Sequence, residues 1–582
     1  MSVDAVTMSI LKGRLEQIAD EMDTTLFRSA FNPIIAEAHD ASHGIYDKET
    51  GDTLVQGKSG LPIFVGVMAF AVKAVIAKAA QRGGVHDGDV WIFNDPYEGG
   101  THLSDFRLVK PIFRDGKLFC YLASVGHWHD VGGNVPGNYN PVATETFQEG
   151  ILIPPIKLFD RGVLLDDVVD VLSANTRLPL SLYGDLNGQI NALDLGTERM
   201  NALLDEYGDD LVDEALAALK ERAATMMRAE IARLPDGTAS VEDYLDNDGI
   251  EDAPLKIALD LTVEGERLVM DFSRSSPACA GPVNISRATT VAACYVALKH
   301  VFGDVPANGG VLAPIDIKVD PESILSVTAP KPVSGYTETI LRLIDVVFQA
   351  VAQIAPEAAN ACAYGTINAL SLAGHREDGR RWVMFSFFGG GHGGYAGGDG
   401  LNHGNAPIST ATIPPLEILE AAYPVAFKTW ALRPGSAGAG EFRGGLGATY
   451  EIELLETSAD VFLFGERGRY PPRGVAGGKD GACNVFSHPA PGPDASGVVH
   501  PPMASKLVGL KLERGQTVRL DTPGGGGYGP PEKRDPEAVA QDVARGYVSV
   551  QAAATQYRVA LNADGAVDPS QTAQLRAQAG KS

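Results

Sequence analysis

Histidine and carboxylate side chains gather in the segment NDPYEGGTHLSDF, residues 94–106, which directly follows the apolar run at 90–93. His102 and Asp105 are three residues apart, a spacing that brings both side chains to one side of a helical turn. Functional side chains often lie where a strand opens into such a loop. The spacing therefore predicts that a single centre binds both residues.

Two other segments carry side chains of the same kinds. His127 and His129 alternate on a predicted strand, which would turn both to one face, with Asp130 at its end. Asp40 lies in the segment EAHDASHG. Imidazole nitrogens and carboxylate oxygens suit a borderline divalent ion such as zinc, manganese or ferrous iron. Histidines beside glycines also serve as hydrogen-bonded loop anchors, so spacing alone leaves that alternative open.

Several common catalytic motifs are excluded. GGGHGG at 389–394 fits the pattern G-x-G-x-x-G, but the following residues cannot continue as the helix that a dinucleotide site requires. The sequence has no phosphate-binding G-x-x-x-x-G-K-[ST] loop and no nucleophile elbow G-x-S-x-G. Cys120 is expected to face a core rather than act as a nucleophile.

The elements that must position these residues mix helices and strands from the start. Residues 66–80 and 339–354 predict helices, and the runs DVWIFND and KLFCYLASVGHWHD predict strands. Proline and glycine at 235–237 predict a domain boundary. We expect a multidomain α+β or mixed α/β fold: an N-terminal metal-site domain (1–234), a mixed α/β domain with glycine-rich loops (235–530) and a helical C-terminal tail (531–582).

The composition of the chain indicates which kinds of partner it can bind. The 582 residues include 48 Lys and Arg against 73 Asp and Glu, and the net charge of −25 repels nucleic acid and anionic membranes. Five cysteines without a C-x-x-C pair are typical of reduced thiols. The first thirty residues lack the pattern of a secretory signal, and no apolar run is expected to span a bilayer. These features predict a cytoplasmic protein that binds neither nucleic acid nor membrane.

A family resemblance rests on five segments in order along the chain: GDVWIFNDPYEGGTHLSDFRLVKPIF, VGHWHDVGG, TFQEGILIPPIKLF, FRGGLG and TPGGGGYGPPEKRDPEAVAQDV. The sequence resembles the hydantoinase B and oxoprolinase family, the B-type subunits of ATP-dependent hydantoinases, 5-oxoprolinases and caprolactamase, which are related to acetone and acetophenone carboxylase subunits. The resemblance covers about residues 25–560.

The resemblance implies a division of labour between subunits. An A-type partner of actin-like ATPase fold would bind ATP with magnesium, in a heterotetramer or larger assembly, and this chain would carry one divalent ion. By similarity the metal ligands are Asp40, His102, Asp105 and His127. His129 and Glu149 are the expected proton-transfer residues, and Asp130 is expected to orient a histidine.

The resemblance also implies a reaction. The expected activity is ATP-dependent hydrolysis of a small cyclic amide: the partner phosphorylates the amide oxygen, and water held on the metal of this subunit opens the ring. Two alternatives stay open, a subunit of an ATP-dependent ketone carboxylase and a non-catalytic scaffold for the ATPase subunit. The sequence does not identify the substrate ring or the metal.

Overall fold

The computed structural model describes residues 3–490 and 497–579 and contains both helices and sheets, as predicted. The α-helices in these residues are α1 (Ala5–Ser29), α2 (Pro33–Ala36), α3 (Pro62–Ala80), α4 (Asp166–Ala174), α5 (Pro179–Tyr207), α6 (Asp209–Ile231), α7 (Arg287–Val301), α8 (Tyr336–Ile354), α9 (Leu416–Ala422), α10 (Pro536–Ala544), α11 (Val550–Thr555) and α12 (Pro569–Ala579). The strands are β1 (Ala41–Asp47), β2 (Thr53–Gln56), β3 (Val90–Phe93), β4 (Asp105–Arg114), β5 (Lys117–His127), β6 (Ile156–Asp160), β7 (Val163–Leu164), β8 (Gly237–Leu245), β9 (Leu255–Glu264), β10 (Arg267–Asp271), β11 (Ile315–Lys318), β12 (Ala369–His375), β13 (Arg381–Ser386), β14 (Val425–Leu432), β15 (Ala448–Leu454), β16 (Ser458–Phe464), β17 (Val485–Pro489), β18 (Val498–Val499), β19 (Lys506–Glu513) and β20 (Thr517–Asp521).

An antiparallel seven-stranded sheet, in the order β2-β1-β5-β4-β3-β6-β7, forms the centre of the first half. Successive side chains of a strand point to opposite faces. On β5, Tyr121, Ala123 and Val125 pack into a first core with α3, whereas Cys120 and Leu122 pack into a second core with α1 and α5. The sheet is therefore buried on both faces, and Cys120 lies in a core as predicted.

Three smaller sheets build the second half, with the orders β11-β10-β9-β8, β13-β12-β16-β19 and β14-β15-β20-β17-β18. The predicted boundary after residue 234 falls between α6 and β8. The first core continues across it, since Met227 packs in the same cluster as Leu259 of β9 and Leu343 of α8. The division into three domains stays a prediction.

Helix α3 corrects one sequence expectation. It has 19 residues with a mean hydropathy of 2.0, long and apolar enough by composition to cross a membrane. Its apolar character has a packing explanation, because the first core buries residues on several of its faces. At Gly66 a β-carbon would lie 2.7 Å from Cα of Ala292, so α3 and α7 approach closely where only glycine fits.

Extended glycine-rich segments pack against one another in the second half and lie outside the named strands. They comprise residues 389–394, 436–447, 473–482 and 523–529, which pack with the glycine-free segment 361–364, and we call the five segments together the glycine bundle. Backbone hydrogen bonds join them: Gly445 donates to His392 at 2.7 Å, and Gly525 donates to Gly445 at 2.9 Å. A β-carbon at Gly391 would lie 1.9 Å from the carbonyl oxygen of Gly445. The glycines serve close backbone packing, and no helix directly follows Gly394, as the sequence predicts.

Candidate metal centre

The ends of three neighbouring strands bring candidate ligands into one row. Asp105, the first residue of β4, pairs with His127, the last residue of β5. β1 pairs with the other edge of β5, and His127 donates its backbone N–H to the carbonyl oxygen of Asp40 at 3.1 Å. Side chains directly opposite each other in a sheet share a face. By alternation from Val125, these three residues lie on the face that carries the first core.

His102 reaches this row from the turn before β4. Asp105 donates its backbone N–H to the carbonyl oxygen of His102 at 3.3 Å, so a tight turn into a strand, and not a helix, spans the three-residue interval. Nε2 of His102 lies 3.1 Å from Oδ1 of Asp105 and 3.2 Å from Nδ1 of His127. Nδ1 of His127 lies 3.1 Å from the same oxygen. Three buried ligand atoms thus form a triangle of nearly equal sides.

The triangle fits a divalent metal ion. Ligand atoms held at about 2.1 Å from one ion lie about 3.0 to 3.4 Å apart in octahedral or tetrahedral geometry. The three observed separations fall in that range. Two imidazole nitrogens and one carboxylate oxygen also match the ligand preference of a borderline ion such as zinc, manganese or ferrous iron.

Two neighbours orient Asp105. Thr101 donates from Oγ1 to Oδ2 of Asp105, and Arg107 donates at 2.6 Å to both the Thr101 hydroxyl and the carbonyl oxygen of Asp105. Burial opposes ionisation of Asp105, but His102 and His127 outweigh it and hold its pKa well below the ordinary value. Asp105 is therefore an anion with Oδ1 turned to the triangle.

Asp40 lies beside the triangle but outside it, because its carboxyl group is not among the three clustered ligand atoms. It is half-buried and lines the same cavity as His127. Burial raises the pKa of Asp40 to about 7, with His127 opposing and Asp105 reinforcing the shift. Near neutral pH this carboxyl group can hold either a proton or a cation.

Helix α5 supports the row from the second core. Gln189 donates from Nε2 to the carbonyl oxygen of Phe106 at 3.1 Å and accepts from Nε1 of Trp128 at 2.9 Å. Phe106 and Trp128 directly follow the two ligands carried by the strands. Asn32 donates from Nδ2 to the carbonyl oxygen of His127 at 2.8 Å. These buried side-chain amides hold in place the backbone segments that carry Asp105 and His127.

An aromatic cavity opens beside the triangle. The ring of Tyr139 lies 5.4 Å from that of His102 and stacks on Phe385 at 5.2 Å. Phe385 also stacks on His127 at 5.6 Å, and Tyr336 of α8 lies 4.8 Å from His102. The cavity has a volume of only about 30 Å³, and Asp40 and His127 line it. Two of the candidate ligands therefore border a small aromatic cavity.

His129 lies beyond the end of β5. The strand stops at His127, so the predicted strand does not extend to His129. Burial lowers the pKa of His129 to about 4, which makes it neutral at pH 7. Its Nε2 has no hydrogen-bond partner within residues 3–490 and 497–579. Its role in proton transfer stays a prediction.

Asp130 and Glu149 contact groups other than the clustered ligands. Asp130 accepts from Nη1 of Arg177 at 2.8 Å and from the backbone N–H of Arg177 at 2.9 Å. The carboxylate of Glu149 accepts backbone N–H bonds from Val333 and Ser334, just before α8. Burial raises the pKa of Glu149 to about 7 despite these bonds. Both contacts hold loops around the site, and the catalytic roles expected of Asp130 and Glu149 stay predictions.

Sequence reasoning missed the residues that surround the ligands. Thr101 and Arg107 stand within or beside the quoted loop, so their positions next to Asp105 could have drawn attention. Tyr139, Tyr336 and Phe385 come from distant segments, and no spacing rule connects them with His102. Only the packing of the second half against the seven-stranded sheet brings them together.

Comparisons with known proteins address the family of this chain. Residues 4–531 match the family model described as hydantoinase B/oxoprolinase. The beta chain of the caprolactamase of Pseudomonas jessenii is 32% identical over 99% of this chain and 99% of its own length. The B component of a candidate D-/L-hydantoinase of Pseudomonas sp. (strain NS671) is 29% identical over 99% of this chain and 98% of its own length.

The fold agrees as well. The crystal structure of ATP-dependent caprolactamase from Pseudomonas jessenii superimposes with a TM-score of 0.88 at 30% identity, covering 99% of this chain and 100% of the other. The family resemblance predicted from the sequence is thereby confirmed. This chain belongs to the hydantoinase B/oxoprolinase family.

Proposed function

We propose that this chain is the metal-bearing subunit of an ATP-dependent hydrolase of cyclic amides. The observation that supports it most directly is the triangle of His102, Asp105 and His127, buried at the edge of an aromatic cavity. The names of the relatives, a caprolactamase and a hydantoinase, indicate lactams or hydantoins as substrates.

His102, Asp105 and His127 would hold the ion, and Asp40 is the proposed fourth ligand. When bound, zinc, manganese or ferrous iron would lower the pKa of a coordinated water from 15.7 toward about 7 and so supply a nucleophile at neutral pH. Thr101 orients Asp105 and is itself held by Arg107, while His102 and His127 keep Asp105 ionised. Tyr139, Phe385 and the neighbouring aromatic rings shield His127 from bulk water.

The ATP-dependent step belongs to a partner in this proposal. The chain lacks a phosphate-binding loop of the G-x-x-x-x-G-K-[ST] type. An A-type ATPase subunit would phosphorylate the amide oxygen in a heterotetramer or larger assembly, with ATP and magnesium on that subunit. The reduced cysteines, four of them buried, are consistent with a cytoplasmic location.

Replacing His102 by alanine tests the proposal. The variant, copurified with the A-type subunit, should lose its stoichiometric metal and its lactam- or hydantoin-dependent ATP turnover while still assembling. His86→Ala is the matched control, because His86 lies outside the triangle. Metal content by mass spectrometry and ATP turnover are the two measurements.

The outcomes separate the alternatives. A His102→Ala complex that turns over lactams without metal would contradict the proposal. ATP turnover that couples to a ketone with bicarbonate, and to no cyclic amide, would favour the carboxylase alternative. A wild-type chain that purifies without about one ion per chain, and tolerates loss of all the ligands, would favour a scaffold.

A further inference from the structure

A second cavity lies beside the metal centre and has room for a small molecule. Its volume is about 260 Å³, against about 30 Å³ for the aromatic cavity. Sites for drug-sized ligands typically measure about 300 to 1,000 Å³, so this volume suits a smaller ligand. Three lysines line it, Lys12, Lys58 and Lys299, and we call it the lysine cavity.

Two chain segments separate the lysine cavity from the aromatic cavity. Their residues line the two cavities by turns: Gly60, Pro62 and Thr410 line the lysine cavity, and Leu61, Ile63 and Ser409 line the aromatic cavity. Ile63 donates its backbone N–H to the carbonyl oxygen of Ile408 at 3.3 Å, which joins the segments. Thr410 also donates from Oγ1 to the carbonyl oxygen of Ser59 at 3.2 Å. The lysine cavity and the candidate ligands Asp40 and His127 therefore lie on opposite sides of one thin wall.

The rim of the lysine cavity has surplus positive charge. Nζ of Lys12 lies 3.4 Å from Oε1 of Glu16, and Nζ of Lys58 lies 3.5 Å from Oε2 of the same carboxylate. Two ammonium groups therefore share one carboxylate. Asp20, the next acidic residue of α1, accepts the backbone N–H of Lys58 at 2.6 Å and does not line the cavity. In a chain with a net charge of −25, this local surplus favours an anion at the rim.

The lysine cavity also has hydrogen-bonding groups that lack partners in the described part of the chain. Tyr295 of α7 lines the cavity and is only 3% exposed, and its hydroxyl group has no hydrogen-bond partner within residues 3–490 and 497–579. The same is true of Oε1 of Gln56, a buried amide oxygen on the lining. Buried polar groups are usually paired, so a ligand that bonds to both is favoured. The oxygen of Gln56 requires an N–H donor.

Apolar side chains supply much of the remaining surface. Lys299 adds no free charge to it, because Nζ of Lys299 donates to the carbonyl oxygens of Phe302 and Gly303 at 3.3 and 3.0 Å. The apolar lining includes Leu54, Val65, Leu219 and Pro306. A fitting ligand therefore has a carboxylate, an aliphatic body and an N–H donor.

The opening of a cyclic amide produces a molecule with these three features. Water adds its oxygen to the carbonyl carbon and a proton to the nitrogen, and the C–N bond between them breaks. The product is one open chain with a carboxylate at one end and an N–H group at the other. Caprolactam gives 6-aminohexanoate, and hydantoin gives N-carbamoylglycine. The closed rings lack the carboxylate.

We propose that the lysine cavity binds the ring-opened product, a short carboxylate with an N–H donor at its far end. Lys12 and Lys58 would bind the carboxylate, and Tyr295 and Gln56 would bind the N–H end. This inference rests on the proposed function, since the reaction supplies the identity of the ligand. It adds a product site across the wall from the metal centre.

Titration of the full-length, metal-loaded chain, followed by ligand-observed NMR, tests the ligand class. 6-Aminohexanoate or N-carbamoylglycine should bind with a Kd of about 1 mM or tighter. Hexanoate lacks the N–H end and pentylamine lacks the carboxylate, so each should bind at least about 5-fold more weakly than 6-aminohexanoate. Failure of both products to bind, or equal binding of the two truncated probes, would overturn the inference.

Substitutions in the lining test the assigned residues. The double variant Lys12→Glu, Lys58→Glu reverses the rim charge and should weaken binding of 6-aminohexanoate at least about 10-fold. Lys117→Glu is the matched control, because Lys117 is exposed and lies outside the cavity. Tyr295→Phe removes only the hydroxyl group and should weaken binding about 2- to 10-fold. Its melting temperature should not fall, since that hydroxyl group has no partner to lose. Unchanged binding in both the double variant and Tyr295→Phe would contradict the inference.

His102→Ala distinguishes this site from the metal centre. The His102→Ala chain should still bind 6-aminohexanoate. Binding that is lost in His102→Ala but kept in the double lysine variant would place the product at the triangle and refute the inference. Absence of ring-dependent ATP turnover would instead count against the proposed function, because binding to the chain is measured without ATP or the partner subunit.

Discussion

The hydroxyl group of Thr101 joins a buried arginine to a candidate metal ligand, and its removal should weaken both folding and metal binding. Valine has the shape of threonine without the hydroxyl. In Thr101→Val, Oδ2 of Asp105 loses its donor and Nη2 of Arg107 loses its acceptor. Each of these two buried groups left without a partner costs about 1 to 3 kcal/mol, so the free energy of unfolding should fall by about 2 to 6 kcal/mol.

Metal affinity should fall as well, because Asp105 can then rotate away from the triangle. Loss of a group that orients a metal ligand typically lowers affinity by about 10- to 100-fold. Urea unfolding of the metal-free chain measures the first effect, and competition with a chromophoric chelator measures the second. Thr101→Ser retains the hydroxyl group and should stay close to the wild type in both assays. If Thr101→Val binds metal as tightly as Thr101→Ser, the orienting role of this hydroxyl is refuted.

Three further substitutions test other parts of the structure. Gln189→Leu removes the amide that binds Phe106 and Trp128, so it should lower the unfolding free energy by about 2 to 4 kcal/mol and weaken metal retention during dialysis. Burial raises the pKa of Glu338 from its ordinary 4.5 to about 8, so its stabilising contribution is present in acid and is lost as the pH rises through that range. Between about pH 5 and pH 9, the urea concentration at the midpoint of unfolding should therefore decline less for Glu338→Gln than for the wild type. An equal decline in the two proteins would contradict the raised pKa of Glu338. Gly391→Ala would press a methyl group against Gly445 and should lower the yield of folded chain or its melting temperature, whereas Gly13→Ala, with open space around it, should not.

The sequence predicted the pieces of the site better than their arrangement. Asp40, His102, Asp105 and His127 could be named because residue types and family motifs mark them, and the structure places three of them in contact. Their geometry depends on strand register, in particular the pairing of Asp105 with His127, which local spacing does not encode. For that reason the helical turn expected for His102 and Asp105 is wrong.

The same limit explains the residues around the ligands. His43 stands three positions from Asp40 in the segment EAHDASHG, but it pairs with Asp23 of α1 at 2.7 Å in the second core. The strand alternation places its side chain opposite Ser124, with which it also bonds at 2.9 Å. Helix and strand positions follow from periodicity, whereas the choice between a ligand and a core histidine follows from tertiary packing.

The glycine bundle has a consequence for how the cavity comes into being. Gly391 contacts Gly445 and Gly525, which are far from it along the chain. These contacts can therefore form only after distant segments of the second half have come together. Phe385 and Phe387 lie on the stretch that leads into the bundle segment 389–394. Phe385 and Phe387 should therefore reach their final positions beside the ligands late in folding. The rate of that step should depend on how fast the glycine bundle assembles.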